Sequence, residues 1–510
     1  MSVTPIQTQP GSTDAGDLST FGYGQQLRRR IGGYGSFAAG FSFVSILTTV
    51  FQLFFFGFGF GGPAFFWTWP VVLAGQLLVA LCFAELAARY PISGAIYQWA
   101  SRLGGRVWGW TAGWLMMVAQ VVTLAGAAIA LQVVLPPVWS GFQLVPGDSS
   151  LTSPTGAANA VLLGVLLLAV TTAVTATGVR LMSVVNSVGV TCELVGVTLL
   201  CVALFAHAER GPGVVLHTQG VAGHGYLWSF AVSGLMAAYV LVGFDSAGEL
   251  SEETRDPRRT TPRTILRAVL VSGLGGALML LATLMAAGSV TDGSLGDPAR
   301  GLPFVLTDRL GGALGRVFLV DVAIAVSVCT LAIQTAATRM VFSMSRDGVL
   351  PFAAGLSTVN RRTGTPIRAS LLVGVLAALL LLVNVGNPAL FTTLASVCIM
   401  LLYLAYLMVT LPLLVRRLRG GLPAAEDDRT LFGLGRWGVV VNGLAVAWGV
   451  AMAVNLGWPR TEVFDPAGGH VYLLWFAPLF LVGALAVGAL AYAAQVRRPA
   501  VVVLALDGAE

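Results

Sequence analysis

Residues 36–63, SFAAGFSFVSILTTVFQLFFFGFGFGGP, and residues 226–250, YLWSFAVSGLMAAYVLVGFDSAGEL, decide how the chain folds. Each opens as an ordinary apolar helix and then carries small or polar residues in mid-span. The first has Ser42, Ser45, Thr48 and Thr49, followed by Gly57, Gly59, Gly61, Gly62 and Pro63; the second has Ser233, Gly234 and Tyr239, followed by Gly243, Phe244, Asp245, Ser246, Ala247 and Gly248. They stand about 190 residues apart, and each leads a block of five apolar runs. Matching interruptions in two halves mark the midplane site of a transporter, because an unwound helix offers backbone donors and acceptors to substrate and ion.

The composition around these stretches suits lipid. Of 510 residues, 56% are hydrophobic and only 10% charged, where soluble domains carry roughly 25% charged residues. All 29 basic residues are Arg. With no Lys, neither a Walker A nucleotide loop nor a pyridoxal Schiff base can be built. The Arg residues fall in short clusters between apolar runs, which argues against a nucleic-acid-binding face. Cys82, Cys192, Cys201, Cys329 and Cys398 all lie inside apolar segments with no metal-ligand spacing and read as packing residues. Four scattered His make no metal site, so no metal, cofactor or catalytic residue is expected.

Apolar runs long enough to cross roughly 30 Å of hydrocarbon predict twelve helices: 36–60, 66–89, 107–134, 158–178, 182–206, 226–250, 264–288, 315–343, 367–385, 389–415, 437–457 and 471–494. The expected fold is all-α and polytopic. Residues 1–34 read as a disordered cytoplasmic tail, 35–415 as a ten-helix core, 416–436 as a cytoplasmic loop, 437–494 as two further helices and 495–510 as a cytoplasmic tail. With the N-terminus inside, about 24 Arg face the cytoplasm and about 5 face outward, the imbalance that the positive-inside rule requires. The loops 135–157, 207–225 and 289–314 are Gly/Pro/Ser-rich and read as outward. Membrane lipid is the expected partner of the Arg clusters; no nucleic acid or obligatory protein partner is expected.

Three longer strings carry a family likeness. The stretch from Ala84 to Tyr97 (AELAARYPISGAIY) resembles the end of helix 2 and the following loop in the amino acid–polyamine–organocation superfamily. Gly243 to Thr254 (GFDSAGELSEET), with Asp256-Pro257 and Pro262, is similar to that superfamily's helix 6. Thr338 to Pro351 (TRMVFSMSRDGVLP) is similar to the end of its helix 8. The helix 6 version is most similar to the amino acid/choline transporter branch. The resemblance implies a five-plus-five inverted repeat of the leucine-transporter type, with broken helices 1 and 6 holding the substrate between them. Two departures stand out. Leu47 and Thr49 occupy the places where many relatives have a Gly-x-Gly pair for a substrate carboxylate, and Glu193 stands where some proton-coupled relatives have a Lys.

The expected substrate site is therefore Ser45, Leu47, Thr48 and Thr49 on helix 1, with Tyr239, Gly243 and Phe244 on helix 6. The hydroxyls serve as donors, and Phe244 as an aromatic wall for an ammonium group. Ionisable groups inside a bilayer are functional candidates by default. Glu85 sits four residues from Arg89 and reads as a structural pair. Glu249, Glu252 and Glu253 are expected beside Arg255, Arg258 and Arg259, solvated or in an inner gate, and Asp321 is expected to pair with Arg316. Glu193 and Asp245 have no Arg nearby in sequence, so they are the expected ion-coupling residues, with Ser327 and Thr330 as hydroxyl partners. The coupling ion is a proton or sodium. The expected function is ion-driven import of an amino acid or related amine such as 4-aminobutyrate across a bacterial-type plasma membrane. Choline, ethanolamine or polyamine transport, or a channel or exchanger on the same fold, is the alternative.

Overall fold

The computed structural model describes residues 18–496 apart from 152, 219–224, 292, 299, 387, 421–430 and 465–473. Among these residues, ten helices are long and apolar enough to cross a membrane, and two shorter apolar ones, Tyr226–Val240 and Ile367–Leu381, complete the twelve predicted runs. The chain forms a polytopic all-α membrane protein.

The helices that place the site are, in order, α1 (Gly33–Val44), α2 (Ile46–Gly61), α3 (Thr68–Arg89), α4 (Ala95–Gly104), α5 (Arg106–Val138), α6 (Pro154–Thr177), α7 (Val179–Ala206), α8 (Tyr226–Val240), α9 (Ser246–Glu249), α10 (Pro257–Ala286), α11 (Gly301–Arg346), α12 (Ile367–Leu381), α13 (Pro388–Leu418), α14 (Gly438–Gly457) and α15 (Phe476–Val496). Ser153 caps α6 by accepting from the Gly156 amide at 2.9 Å, with Pro154 at the first helical position. Gly178 separates α6 from α7 in a single residue.

Small residues let helices approach where hydrocarbon supplies no hydrophobic drive. Gly189 of α7 lies against Val328 of α11, and a Cβ there would meet Val328 Cγ2 at 2.1 Å. The chain's last span, α15, turns Leu479, Val482, Val487 and Leu490 outward as a lipid-facing surface. On its other side it meets α5, where Trp110 stacks on Trp114 and touches Tyr492.

The structure corrects several boundaries. A short helix, α4, occupies 95–104 where none was predicted. The expected outward loop 289–314 contains the first turns of α11, which runs from Gly301 and kinks at Gly311. Of the stretch 1–34 expected to be disordered, residues 18–34 are packed: Leu18, Leu27 and Ile31 are buried, and Ile31 bridges to Thr254. Residues 1–17, residues 421–430 of the loop 416–436 and the tail from 497 lie outside the described residues.

Candidate functional site

Both interruptions read from the sequence break the helix, and side chains from other helices take up the freed backbone groups. Between α1 and α2, Ser45 adopts a left-handed conformation (φ 35°), uncommon for a residue with a Cβ. The Leu47 amide no longer reaches the preceding turn and donates instead to Glu193 Oε1 at 3.2 Å. The Phe43 carbonyl accepts from Cys329 Sγ at 3.6 Å, and the Val44 carbonyl from Thr49 Oγ1 at 3.3 Å. Buried backbone groups are nearly always paired, and here the partners come from α7 and α11 and from Thr49 of α2 itself.

Glu193 is the centre of this arrangement. It is fully buried midway along α7, and its Oε1 also accepts from Ser45 Oγ at 3.0 Å, while Ser45 Oγ and Thr48 Oγ1 stand 2.7 Å apart. Its Oε2 has no hydrogen-bond partner. An enclosed carboxylate oxygen without a donor calls for a proton or a cation. Cys329 lies against Ser45, Thr48 and Glu193, so this thiol belongs to the site rather than to packing alone. One α7 turn away, Asp321 Oδ2 fills the space left by Gly196, 1.6 Å from where a Cβ would stand. That oxygen is also unpartnered, and the expected pair with Arg316 does not form.

The second break runs from Leu241 to Asp245, between α8 and α9. Gly243 takes φ 89°, and its amide donates to Tyr406 Oη at 2.9 Å. Tyr406 in turn donates to Asp245 Oδ1, and Tyr403 donates to the freed Ala238 carbonyl at 3.4 Å. Both tyrosines belong to α13. Asp245 is fully buried with Oδ2 unpaired. Phe244 is enclosed in an aromatic cluster with Phe83 and Tyr406, ring centroids 6.1 and 5.5 Å away, rather than standing as an open wall. Tyr239 has Cys329 and Cys398 nearby. Leu47 keeps its side chain in the core. Ser327 and Thr330 spend their hydroxyls on their own helix, donating to Ala323 and Val326 carbonyls at 2.8 and 2.7 Å, and Glu193 receives nothing from them.

A buried polar cluster joins the three quoted strings at the Arg-rich end. Arg339 donates to Glu253 through three contacts of 2.9–3.2 Å with both side chains at 0% exposure. Arg346 grips Glu252 with two bonds of 2.9 Å, and Glu252 also accepts from the Ser93 amide at 3.1 Å. Asp347 accepts from Tyr97 at 2.8 Å, Gln98 at 3.1 Å and Tyr23 at 2.9 Å, and Arg346 covers the Tyr23 ring at 4.0 Å. The acids thus pair with α11, not with Arg255, Arg258 and Arg259 as expected, and they are buried, not solvated. Glu249 is buried beside the Gly94 amide with no hydrogen-bond partner for either oxygen within ordinary distance. Burial with Asp347 nearby pushes the Tyr23 phenol up to about 12. Glu85 pairs with Arg89 at 2.9 Å, as the spacing predicts, and also with Arg417.

Residues 30–485 match the model of a protein family described as amino acid permease. The chain is 29% identical over 472 residues to the Amino-acid permease BAT1 homolog of Oryza sativa subsp. japonica, covering 88% of each protein. It is 26% identical to the Branched-chain amino acid permease BcaP of Lactococcus lactis subsp. cremoris over 78% of this chain and 84% of that one. Similarity extends to the Methylthioribose transporter of Bacillus subtilis, 27% identical over 67% of this chain and 74% of that protein.

Proposed function

We propose, from the premise that the chain belongs to the amino acid permease family and so is a transporter and not an enzyme, that it is a secondary active importer of an amino acid or a related amine such as 4-aminobutyrate. Import is driven by an ion gradient, with protons the ion that the site suits best. The observation that carries the reading is Glu193: one oxygen bound to the break between α1 and α2, the other enclosed and unpartnered. A ligand that alters the break acts directly on the groups that hold this carboxyl. A proton or cation gained and lost there senses the two states of the site differently, which coupling requires.

The paired interruptions support a five-plus-five inverted repeat with the substrate between the breaks. The Arg distribution supports cytoplasmic termini in a bacterial-type plasma membrane. The substrate-binding groups on this reading are Ser45, Thr48 and Thr49 with the unwound backbone from Leu241 to Gly243.

The test is Glu193→Gln in proteoliposomes, which keeps the shape and removes the charge. The expected result is loss of concentrative uptake with counterflow exchange retained. Concentrative uptake with wild-type dependence on pH and sodium refutes the coupling role.

One observation favours a second reading of the substrate. The Leu47 amide is already engaged by Glu193 and is not free for a carboxylate, which suits an amine such as choline or ethanolamine. Counterflow competition among 4-aminobutyrate, leucine, choline and ethanolamine separates the two.

A further inference from the structure

We propose that the Arg-rich end carries a binding site for an anionic phospholipid, seated between the N-terminal strap (residues 18–32), the turn joining α6 to α7, and the loop joining α11 to α12. A cavity of about 390 Å³ lies there, lined by Arg28, Arg30, Arg180 and Arg362. None of its lining residues is acidic. The guanidinium groups of Arg30, Arg180 and Arg362 take part in none of the salt bridges or side-chain hydrogen bonds among the described residues. Unpaired Arg groups gathered without a carboxylate form a phosphate-binding set, since each offers a planar fork of donors.

The walls are held in place before any ligand arrives. Arg28 Nη2 donates to the Arg361 carbonyl at 2.7 Å, and Thr365 Oγ1 donates to the Ala176 carbonyl at 3.1 Å. The first turn of α7 begins at Val179 inside the cavity, adding the positive end of a long helix to the four cations.

The same chemistry would serve a soluble phosphate, and the apolar rim decides for a lipid. Leu181 and Val184 line the cavity and are 46% and 52% exposed. They begin a stripe that continues through Val188, Val195, Leu199 and Val202 on one face of α7, at the spacing of a single helical face. An acyl chain leaving the cavity has a continuous apolar track to follow, and a free phosphate gains nothing from it. The ligand class is a glycerophospholipid with a net negative headgroup, drawn from the leaflet at the Arg-rich end. Bound there, it ties the strap to the start of the helix that carries Glu193.

The experiment compares wild type with Arg180→Gln/Arg362→Gln in phosphatidylcholine nanodiscs containing phosphatidylglycerol, with retained lipid counted by native mass spectrometry after transfer to detergent. At roughly fivefold per interfacial Arg, the double variant should bind phosphatidylglycerol roughly 25-fold more weakly. Arg436→Gln, at the same end but outside the cavity, should match wild type, and Arg180→Lys/Arg362→Lys, which keeps the charge and loses the forks, should fall between wild type and the double Gln variant. If the double Gln variant fails to fold, each single variant should still show the fivefold loss. Equal loss in Arg436→Gln would mean diffuse surface charge and overturn the site. Competition by glycerol phosphate at the same concentration as the lipid would assign the cavity to a soluble anion instead.

Discussion

Replacing Tyr406 with Phe removes one oxygen and nothing else, yet that oxygen serves both sides of the break between α8 and α9. It accepts from the Gly243 amide at 2.9 Å and donates to Asp245 Oδ1. Asp245 Oδ2 is already unpartnered, so Tyr406→Phe leaves its carboxyl with no side-chain donor. The Gly243 amide is left buried as well. An orphaned buried polar group costs about 1–3 kcal/mol, so the two together should cost about 2–6 kcal/mol. Tyr403→Phe is the comparison: it gives up a 3.4 Å contact to the Ala238 carbonyl and the acceptor for Gln76 Nε2 at 3.0 Å. The longer bond to the break should make its loss the smaller of the two. Thermal melts of the purified protein in detergent, read beside counterflow in proteoliposomes, measure both effects. Tyr406→Phe should melt well below wild type and exchange substrate poorly, with Tyr403→Phe between them. Wild-type melting and exchange in Tyr406→Phe would show that the break does not depend on this hydroxyl.

Arg339→Met strands Glu253 in a dry interior and should cost about 3–5 kcal/mol, most of it recovered in Arg339→Met/Glu253→Gln; melts of the single and double variants give the comparison. Gly196→Ala drives a methyl into Asp321 Oδ2, so either the Asp321 side chain turns away from α7 or the two helices part. The expected penalty is about 1–3 kcal/mol with loss of concentrative uptake, and normal values for both would show that Asp321 swings aside without cost. Tyr23 is held protonated in the fold, with its phenol raised from 10.0 to about 12. Its contribution is therefore complete below pH 10 and lost as pH rises towards 12. The melting temperature should fall across that window, and fall less in Tyr23→Phe.

Hydropathy alone marks the twelve runs, because every residue in a spanning helix must suit lipid or a neighbouring helix. The two breaks are equally legible, since Ser45 and Gly243 interrupt otherwise apolar runs. Glu193 is legible because a carboxylate in mid-span is costly in hydrocarbon and persists where it has work to do. The groups that complete the site are not legible. Tyr403 and Tyr406 lie far along the chain on α13, where they read as ordinary apolar-helix tyrosines. Ser327 and Thr330 have the right chemistry, but an i−4 carbonyl is nearer than any ion. Glu252 and Glu253 have three Arg close by in sequence, and spacing favours those neighbours, whereas the fold pairs them with Arg339 and Arg346. The amphipathic turn 95–104 escapes a hydropathy reading because it is short and does not span. The resemblance strings are informative in a way their individual residues are not, since all three end in one buried cluster with Tyr23.

The way the two breaks are capped sets limits on how the protein can move. The break between α1 and α2 is closed by Glu193 from α7 and Cys329 from α11, and the break between α8 and α9 by tyrosines from α13. A sliding plane drawn between a broken helix and its cap would have to cut several buried hydrogen bonds at once. A pathway that opens without cutting them has its planes elsewhere, with α13 travelling alongside the second break and the α7–α11 pair alongside the first. The moving blocks are then defined by which side chains mend which gap, not by the order of helices along the chain.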